Sequence, residues 1–238
     1  LQRIRAKYPD LTIQDCASGG GRVNWGTLPY FDEFWTCDNT DALQRVYMQW
    51  GTSYFFPAIA MASRYCDPWL DMTARTVPLK YRTDVAMSGR LGMEIQPKVL
   101  SEADKDQCRK AIADYKRIRP IVQFGDLYRL QSPYEKKGVA SLMYVTDAKE
   151  KAVFFWWKTE SFCNQHLPRI PMAGLNPQKR YRITELNRID NNPLAFEGKT
   201  FSGEYLMQNG LEIPYGHNAD WGKANEWASR VLLLETAE

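Results

Sequence analysis

Two stretches early in the chain carry residue types that can do chemistry. "DCASGGGRVNWG", residues 15 to 26, sets Cys16, Ser18 and Arg22 around three consecutive glycines, Gly19, Gly20 and Gly21. "FWTCDNTD", residues 34 to 41, sets Asp38 between Trp35 and a following helix. The glycine run has neither the G-x-G-x-x-G of a dinucleotide site nor the Gly-Lys-Ser/Thr of a phosphate loop. Three glycines then mean a tight turn or a close backbone approach. At a strand end they could also offer N–H groups to ligand hydroxyls. Asp38 has two readings as well. It can serve the start of the helix, whose dipole favours a carboxylate. Or it can be a general acid, which needs burial or a second carboxylate to keep its proton in place.

Other chemistry has little raw material. Cys16, Cys37, Cys66, Cys108 and Cys163 are odd in number, widely spaced and without a C-x-x-C pair. They read as reduced, mostly buried thiols rather than a disulfide framework or a zinc site, which leans towards a reducing compartment. His166 and His217 are the only histidines, both far along the chain from the glycines, and read as loop or surface residues. A metal centre and a Ser-His-Asp triad are therefore not expected.

These candidates fall at the ends of strand-like runs. "LTIQDC" ends at the glycines, and "PYFDEFW" ends at Asp38. A helix follows, with Leu43, Val46, Tyr47 and Trp50 as its apolar stripe and Asn39 or Thr40 as its cap. "TDVAMSGRLG" reads as another strand closed by glycines. A second helix is expected over 102 to 119, opened by Ser101 and Asp104, with Cys108, Ala111, Ile112, Tyr115 and Ile118 as its stripe and Pro120 beyond its end. Loops after alternating strands are where α/β barrels keep their chemistry. Beyond Pro120 the pattern changes. "ASLMYV", "KAVFFWW", "KRYRITEL", "FSGEYLM" and "SRVLLLET" read as short strands, with "TDAKEK", "LNPQK" and "QNG" as turns, the signature of an antiparallel sandwich. The run Phe154, Phe155, Trp156, Trp157 has two readings, a core strand or a platform on which a sugar stacks.

The totals bound the rest. With 238 residues, 44% hydrophobic and 25% charged, the chain has length for one large domain or two smaller ones. Its net charge of +3 comes from scattered basic residues, which gives no footprint for nucleic acid. No apolar run reaches the roughly 18 residues of a membrane span. The opening "LQRIRAKYPD" lacks the apolar core of a signal peptide and reads instead as the tail of an amphipathic helix on Leu1, Ile4 and Tyr8.

"DCASGGGR", "FWTCDNTDALQR" and "DVAMSGRLGMEI" followed by "YKRIRPIVQFGDLYRL" resemble, in order and approximate spacing, consecutive blocks of the α-galactosidases of glycoside hydrolase family 36. The resemblance implies an α/β part, residues 1–119, that is the second half of a (β/α)₈ barrel, then a C-terminal β-sandwich over residues 120–238. It implies a galactosyl oligosaccharide substrate and no cofactor, with self-association in the full-length enzyme. It also implies that Asp38 is the catalytic acid/base, that Cys16 and the backbone of Ser18, Gly19 and Gly20 lie beside the galactose hydroxyls, and that Arg22 and Trp35 are the family's motif arginine and aromatic. Cys37 stands where the family usually has Ser, and Gln14-Asp15 replaces its usual pair, leaving the role of Asp15 open. The family's nucleophile, the Asp of a Lys-Trp-Asp block, has no counterpart in this sequence. The chain thus resembles a C-terminal portion of a larger enzyme, expected to be inactive alone. An α-N-acetylgalactosaminidase, a raffinose-synthase-type transferase and a catalytically silent sugar-binding or assembly module stay open beside that reading.

Overall fold

The structure, a computed structural model, describes residues 1–67, 69–70, 73–161, 167–190, 193–214 and 227–237. Cys163, His166 and His217 lie outside the described residues. The chain opens with a short helix, α1 (Gln2–Lys7), whose apolar stripe of Leu1, Ile4 and Tyr8 is exposed. Arg5 ties this helix to the segment before the second strand, donating to the carbonyl of Tyr30 and pairing with Asp32 at 2.7 Å. Strands β1 (Gln14–Asp15), β2 (Glu33–Trp35) and β3 (Met61–Cys66) then alternate with loops and with helix α2 (Ala42–Thr52). A two-stranded ribbon of β4 (Trp69–Leu70) and β5 (Arg75–Thr76) leads to helix α3 (Leu79–Ala86), strand β6 (Arg90–Glu94) and the long helix α4 (Glu102–Phe124). Strands β1, β2, β3 and β6 form one sheet in that order, every neighbour parallel. Parallel neighbours need crossovers, and α2 and α3 lie in them.

The rest of the chain forms a six-stranded antiparallel sheet in the order β11-β10-β12-β9-β8-β7. Its strands are β7 (Asp126–Gln131), β8 (Val139–Val145), β9 (Lys151–Lys158), β10 (Arg180–Leu186), β11 (Thr200–Ser202) and β12 (Ser229–Thr236), with helix α5 (Gly203–Asn209) after β11. Both faces of this sheet are covered. Phe155 and Trp157 pack with Tyr81, Tyr115 and Ile118 of α3 and α4, while Phe154 and Trp156 pack with Ile170, Met172, Leu206 and Leu211. Burial on both faces explains why β8 and β9 read as unbroken apolar runs rather than alternating ones. It also settles the aromatic run: Trp156 and Trp157 are 1% and 2% exposed, so they are core and not a sugar platform.

Several local expectations are corrected. "TDVAMSGRLG" is not one strand. Its first residues lie in α3, every residue of which is buried between the two sheets, so the segment has no helical period to betray it. Helix α4 does not stop before Pro120 but runs through it to Phe124. Pro120 is exposed, so the carbonyl it cannot satisfy faces water, and the stripe continues through Ile121 and Val122. The expected boundary at 119/120 therefore falls inside a helix. "FSGEYLM" is mostly α5, capped by the Ser202 side chain, which accepts from the N–H of Tyr205. The buried stripe of α2 is Ala42, Arg45, Val46, Gln49 and Trp50, which leaves Leu43 and Tyr47 half-buried. Among the described residues the antiparallel part is one sheet, layered by helices on one side and by α5 and irregular chain on the other, rather than two facing sheets. The cysteines also differ from expectation. Cys108 is buried, Cys37 and Cys66 are half-buried, and Cys16 is exposed, because all but Cys108 sit at or just beyond strand ends; these four are free thiols. Among the described residues no helix is long and apolar enough to cross a membrane.

Candidate active site at the strand ends

Strands β1 and β2 are parallel, so the segments that succeed them emerge on the same edge of the sheet. The glycine run follows β1 and Asp38 follows β2. The two meet through the backbone. Gly20 N–H donates to the carbonyl of Thr36 at 3.1 Å, and Ala17 N–H closes the turn on the carbonyl of Gly19 at 2.8 Å. Gly19 has φ +78°, and a Cβ there would lie 2.7 Å from Cα of Cys37 and 3.2 Å from the nitrogen of Asp38. Glycine is required on both counts, conformation and space. Gly20 spends its N–H on holding the loop against β2, while Cys16 and Ser18 are exposed at its rim. Arg22 is exposed too. Its carbonyl accepts from Asn24, and among the described residues no hydrogen bond or ion pair joins it to Asp38.

Asp38 is exposed at the mouth, and its Oδ1 accepts from Nε1 of the buried Trp35 at 3.0 Å. It does not cap α2. That role belongs to Asp41, whose Oδ1 accepts from the N–H of Gln44 and whose carboxylate also takes Arg75 and Thr73. Asn39 is not the cap either: its side chain accepts from the N–H of Asp41, a local turn that delivers Asp41 to the capping position. The two aspartates of "DNTD" are thus separated by task, one structural and buried, one open to solvent.

Asp15 is buried and pairs in register with the core residue Phe34, whereas its neighbour Gln14 bonds Glu33 at 2.6 Å. Side chains alternate along a strand, which puts Asp15 on the sheet face opposite Gln14, Glu33 and Trp35. The face carrying Trp35 is polar. Arg64 on β3 donates to Gln14 at 3.0 Å and lies 3.8 Å from Glu94, while Arg90 pairs with Glu33 at 2.9 Å. Two guanidiniums approach the Trp35 ring, Arg64 at 5.0 Å and Arg45 at 4.9 Å from its centroid. Neither arginine stood out among the sequence candidates. Arg45 had a signal: it is a charge on the buried stripe of α2, between Ala42 and Gln49.

The model of the Melibiase family matches residues 1–125, and that of the glycosyl hydrolase family 36 C-terminal domain matches residues 139–234. The chain belongs to glycosyl hydrolase family 36. Among the family's α-galactosidases, it is 36% identical over 217 residues to a probable α-galactosidase C of Aspergillus terreus, covering 90% of this chain and 27% of that protein. It is 34% identical to α-galactosidase 1 of Pediococcus pentosaceus, over 90% of this chain and 28% of that one. Among solved structures, the α-galactosidase of Lactobacillus brevis superposes with a TM-score of 0.88 at 31% identity, over the whole of this chain and 30% of its own. A variant of a family 36 α-galactosidase from Geobacillus stearothermophilus, in complex with raffinose, matches with a TM-score of 0.87 at 29% identity, over 99% of this chain and 30% of its own. The chain therefore spans less than a third of the length of these relatives.

Proposed function

We propose that this family 36 chain supplies one wall of a galactose pocket and one of the two carboxylates of a retaining α-galactosidase. Asp38 is the acid/base. The observation that carries the reading is its geometry: an exposed carboxylate at a strand end, held at one oxygen by Trp35 and bordered by the glycine loop. Oδ1 is engaged by the indole, so Oδ2 meets the glycosidic oxygen. A carboxylate from a segment outside this sequence, about 5–5.5 Å from that of Asp38 in a retaining pair, attacks the anomeric carbon. The carbon–oxygen bond breaks as Asp38 gives its proton to the departing oxygen. Asp38 then takes a proton from water, and the hydroxide formed displaces the enzyme carboxylate from the sugar. The N–H groups of Ser18 and Gly19, with Cys16, read the galactose hydroxyls, while Gly20 holds the loop and Arg22 lines the approach. Asp15 takes no part, since it points to the helix-covered face.

The same reading makes the parallel sheet the second half of a (β/α)₈ barrel and the antiparallel part the C-terminal β domain, divided at the end of α4. In support, four parallel strands run in sequential order, and the outer edges of β1 and β6 have no partner strand among the described residues. Open edges invite pairing, so the remaining barrel strands cover them; self-association of the assembled enzyme rests on the family resemblance alone.

Two preparations test this proposal: the 238-residue chain alone, and the product of the complete reading frame that carries it. The second is expected to hydrolyse 4-nitrophenyl α-galactoside and raffinose and to release α-galactose first, as followed by proton NMR; the first is expected to be inactive. Turnover by the chain alone that Asp38→Ala abolishes, or release of the β-anomer first, would overturn it.

A further inference from the structure

The proposed chemistry gives no task to the buried guanidinium of Arg45. Arg45 is 1% exposed, and among the described residues no carboxylate pairs with it. A buried charge without a counter-ion is costly and persists where its donors are otherwise used. Here all three guanidinium nitrogens donate, and one of them reaches the residue that precedes the acid. Nε donates to Oε1 of Gln49 at 3.1 Å, one terminal nitrogen to the carbonyl of Ala62 on β3 at 3.1 Å, and the other to the carbonyl of Cys37 at 3.3 Å. Cys37 immediately precedes Asp38. The guanidinium also lies 4.9 Å from the centre of the Trp35 ring, and Trp35 is the residue that holds Asp38.

Gln49 is itself locked. Its oxygen accepts from Ser63 Oγ at 2.7 Å, and its nitrogen donates to Ser88 Oγ at 3.0 Å and to the carbonyl of Val85 at 3.1 Å. Arg45 is thus tied through α2, β3 and α3 to the rigid part of the fold, and it reaches the acid by two routes, the Cys37 carbonyl and the Trp35 ring. Burial pushes its pKa down to about 10, so it stays charged at neutral pH.

We propose that Arg45 is a positioning residue for Asp38, fixing the acid's backbone through Cys37 and its carboxylate through Trp35. This rests on the reading of Asp38 as the acid/base. Lysine cannot reproduce the fork, because its ammonium is a point donor on a flexible stem.

The test uses the complete enzyme and two substrates. Methyl α-galactoside needs a proton on its leaving group, and 2,4-dinitrophenyl α-galactoside does not. Misplacing a group by about 1 Å can cost about 100-fold, so Arg45→Lys is expected to lower kcat/KM on the methyl substrate by about 10- to 100-fold. On the dinitrophenyl substrate the loss is expected to stay within about threefold, because the acid contributes little there. In an Asp38→Asn background, Arg45→Lys is expected to add no further loss on the methyl substrate. Trp35→Phe, which keeps an aromatic ring and removes the indole N–H, is expected to show the same leaving-group dependence and serves if the lysine variant does not fold. Equal losses on both substrates, or a full additional loss in the Asp38→Asn background, would overturn the positioning role. A loss in Asp38→Asn that ignores the leaving group would instead show that Asp38 is not the acid, and the proposal would fall with it.

Discussion

Gly19 is the residue on which the glycine loop and the acid meet. Its φ of +78° is one that side-chain-bearing residues rarely adopt, and a methyl group there would press on Cα of Cys37. Gly19→Ala in the complete enzyme is therefore expected to cost about 1–3 kcal/mol of stability from backbone strain. The same substitution should lower activity about tenfold or more by moving the acid-bearing segment. Urea unfolding and kcat/KM on raffinose measure the two effects, and unchanged activity would break the link between loop and acid. The glycine triplet was legible in the sequence as a tight turn or a close backbone approach, and Gly19 makes both; Asp38 stood out by type only as a cap or an acid, and the family resemblance singled out the acid. The parts of the site that were not legible are the partners. That Gly20 donates to Thr36 and that Arg45 of α2 and Arg64 of β3 flank Trp35 are facts of tertiary packing, which a glycine run does not encode.

At the scale of elements, α2 is set by Asp41. Its carboxylate is fully buried, caps the helix and takes Arg75 and Thr73 from the segment before α3. Asp41→Ala is expected to lose the cap, worth about 1 kcal/mol, and the Arg75 pairing besides. Because Arg75 is about a third exposed and can rehydrate, the total stays nearer about 2–3 kcal/mol than the full cost of stranding a buried charge. Asp41→Asn should recover the cap but not the ion pair, placing it between the two in a urea titration; equality of Asn and Ala would show that the cap carries nothing. The sequence led to the right helix but the wrong cap, since Asn39 is as good a capping residue as Asp41 by type and only its turn onto the Asp41 N–H decides between them. Pro120 misled for a similar reason. On the exposed side of α4, water can take the hydrogen bond that Pro120 cannot make, and the helix continues past the proline.

For the whole molecule, the two sheets are fastened through α3. Lys80 and Asp84 pair at 2.8 Å inside the protein, and Asp84 accepts from Ser229 and Asn187. The Asn187 side chain also reaches Thr83, and its backbone N–H donates to the carboxylate of Asp114 on α4. Glu185 borders this cluster, facing Lys80, Arg230, Asp84 and Glu197. Burial raises its carboxyl above the usual carboxylate range, against the pull of Arg230 and Lys80. The folded state therefore holds this proton to higher pH than the unfolded chain does. The contribution of Glu185 to stability is fullest at low pH and declines as pH rises from the ordinary carboxylate value through the raised one. Glu185→Gln is expected to remove that decline, flattening the fall of the unfolding midpoint as pH rises above the ordinary carboxylate range; an unchanged slope would place the titration elsewhere. Nothing in the sequence indicated this joint. Its hydrogen-bonded partners lie up to 145 residues apart, and singly each reads as an ordinary surface polar residue. The parallel and antiparallel halves, by contrast, were legible from the change in pattern near Pro120.

Catalysis in the proposed enzyme turns on Asp38, and the most direct measurement is the hydrolysis of raffinose by the complete enzyme carrying Asp38→Asn. Asparagine preserves the side chain's size and an acceptor for the Trp35 indole but has no proton to give. A fall in kcat of about 10²–10⁴-fold, with unfolding unchanged, is the predicted result. Retention of raffinose hydrolysis within about tenfold of the unaltered enzyme would contradict the assignment.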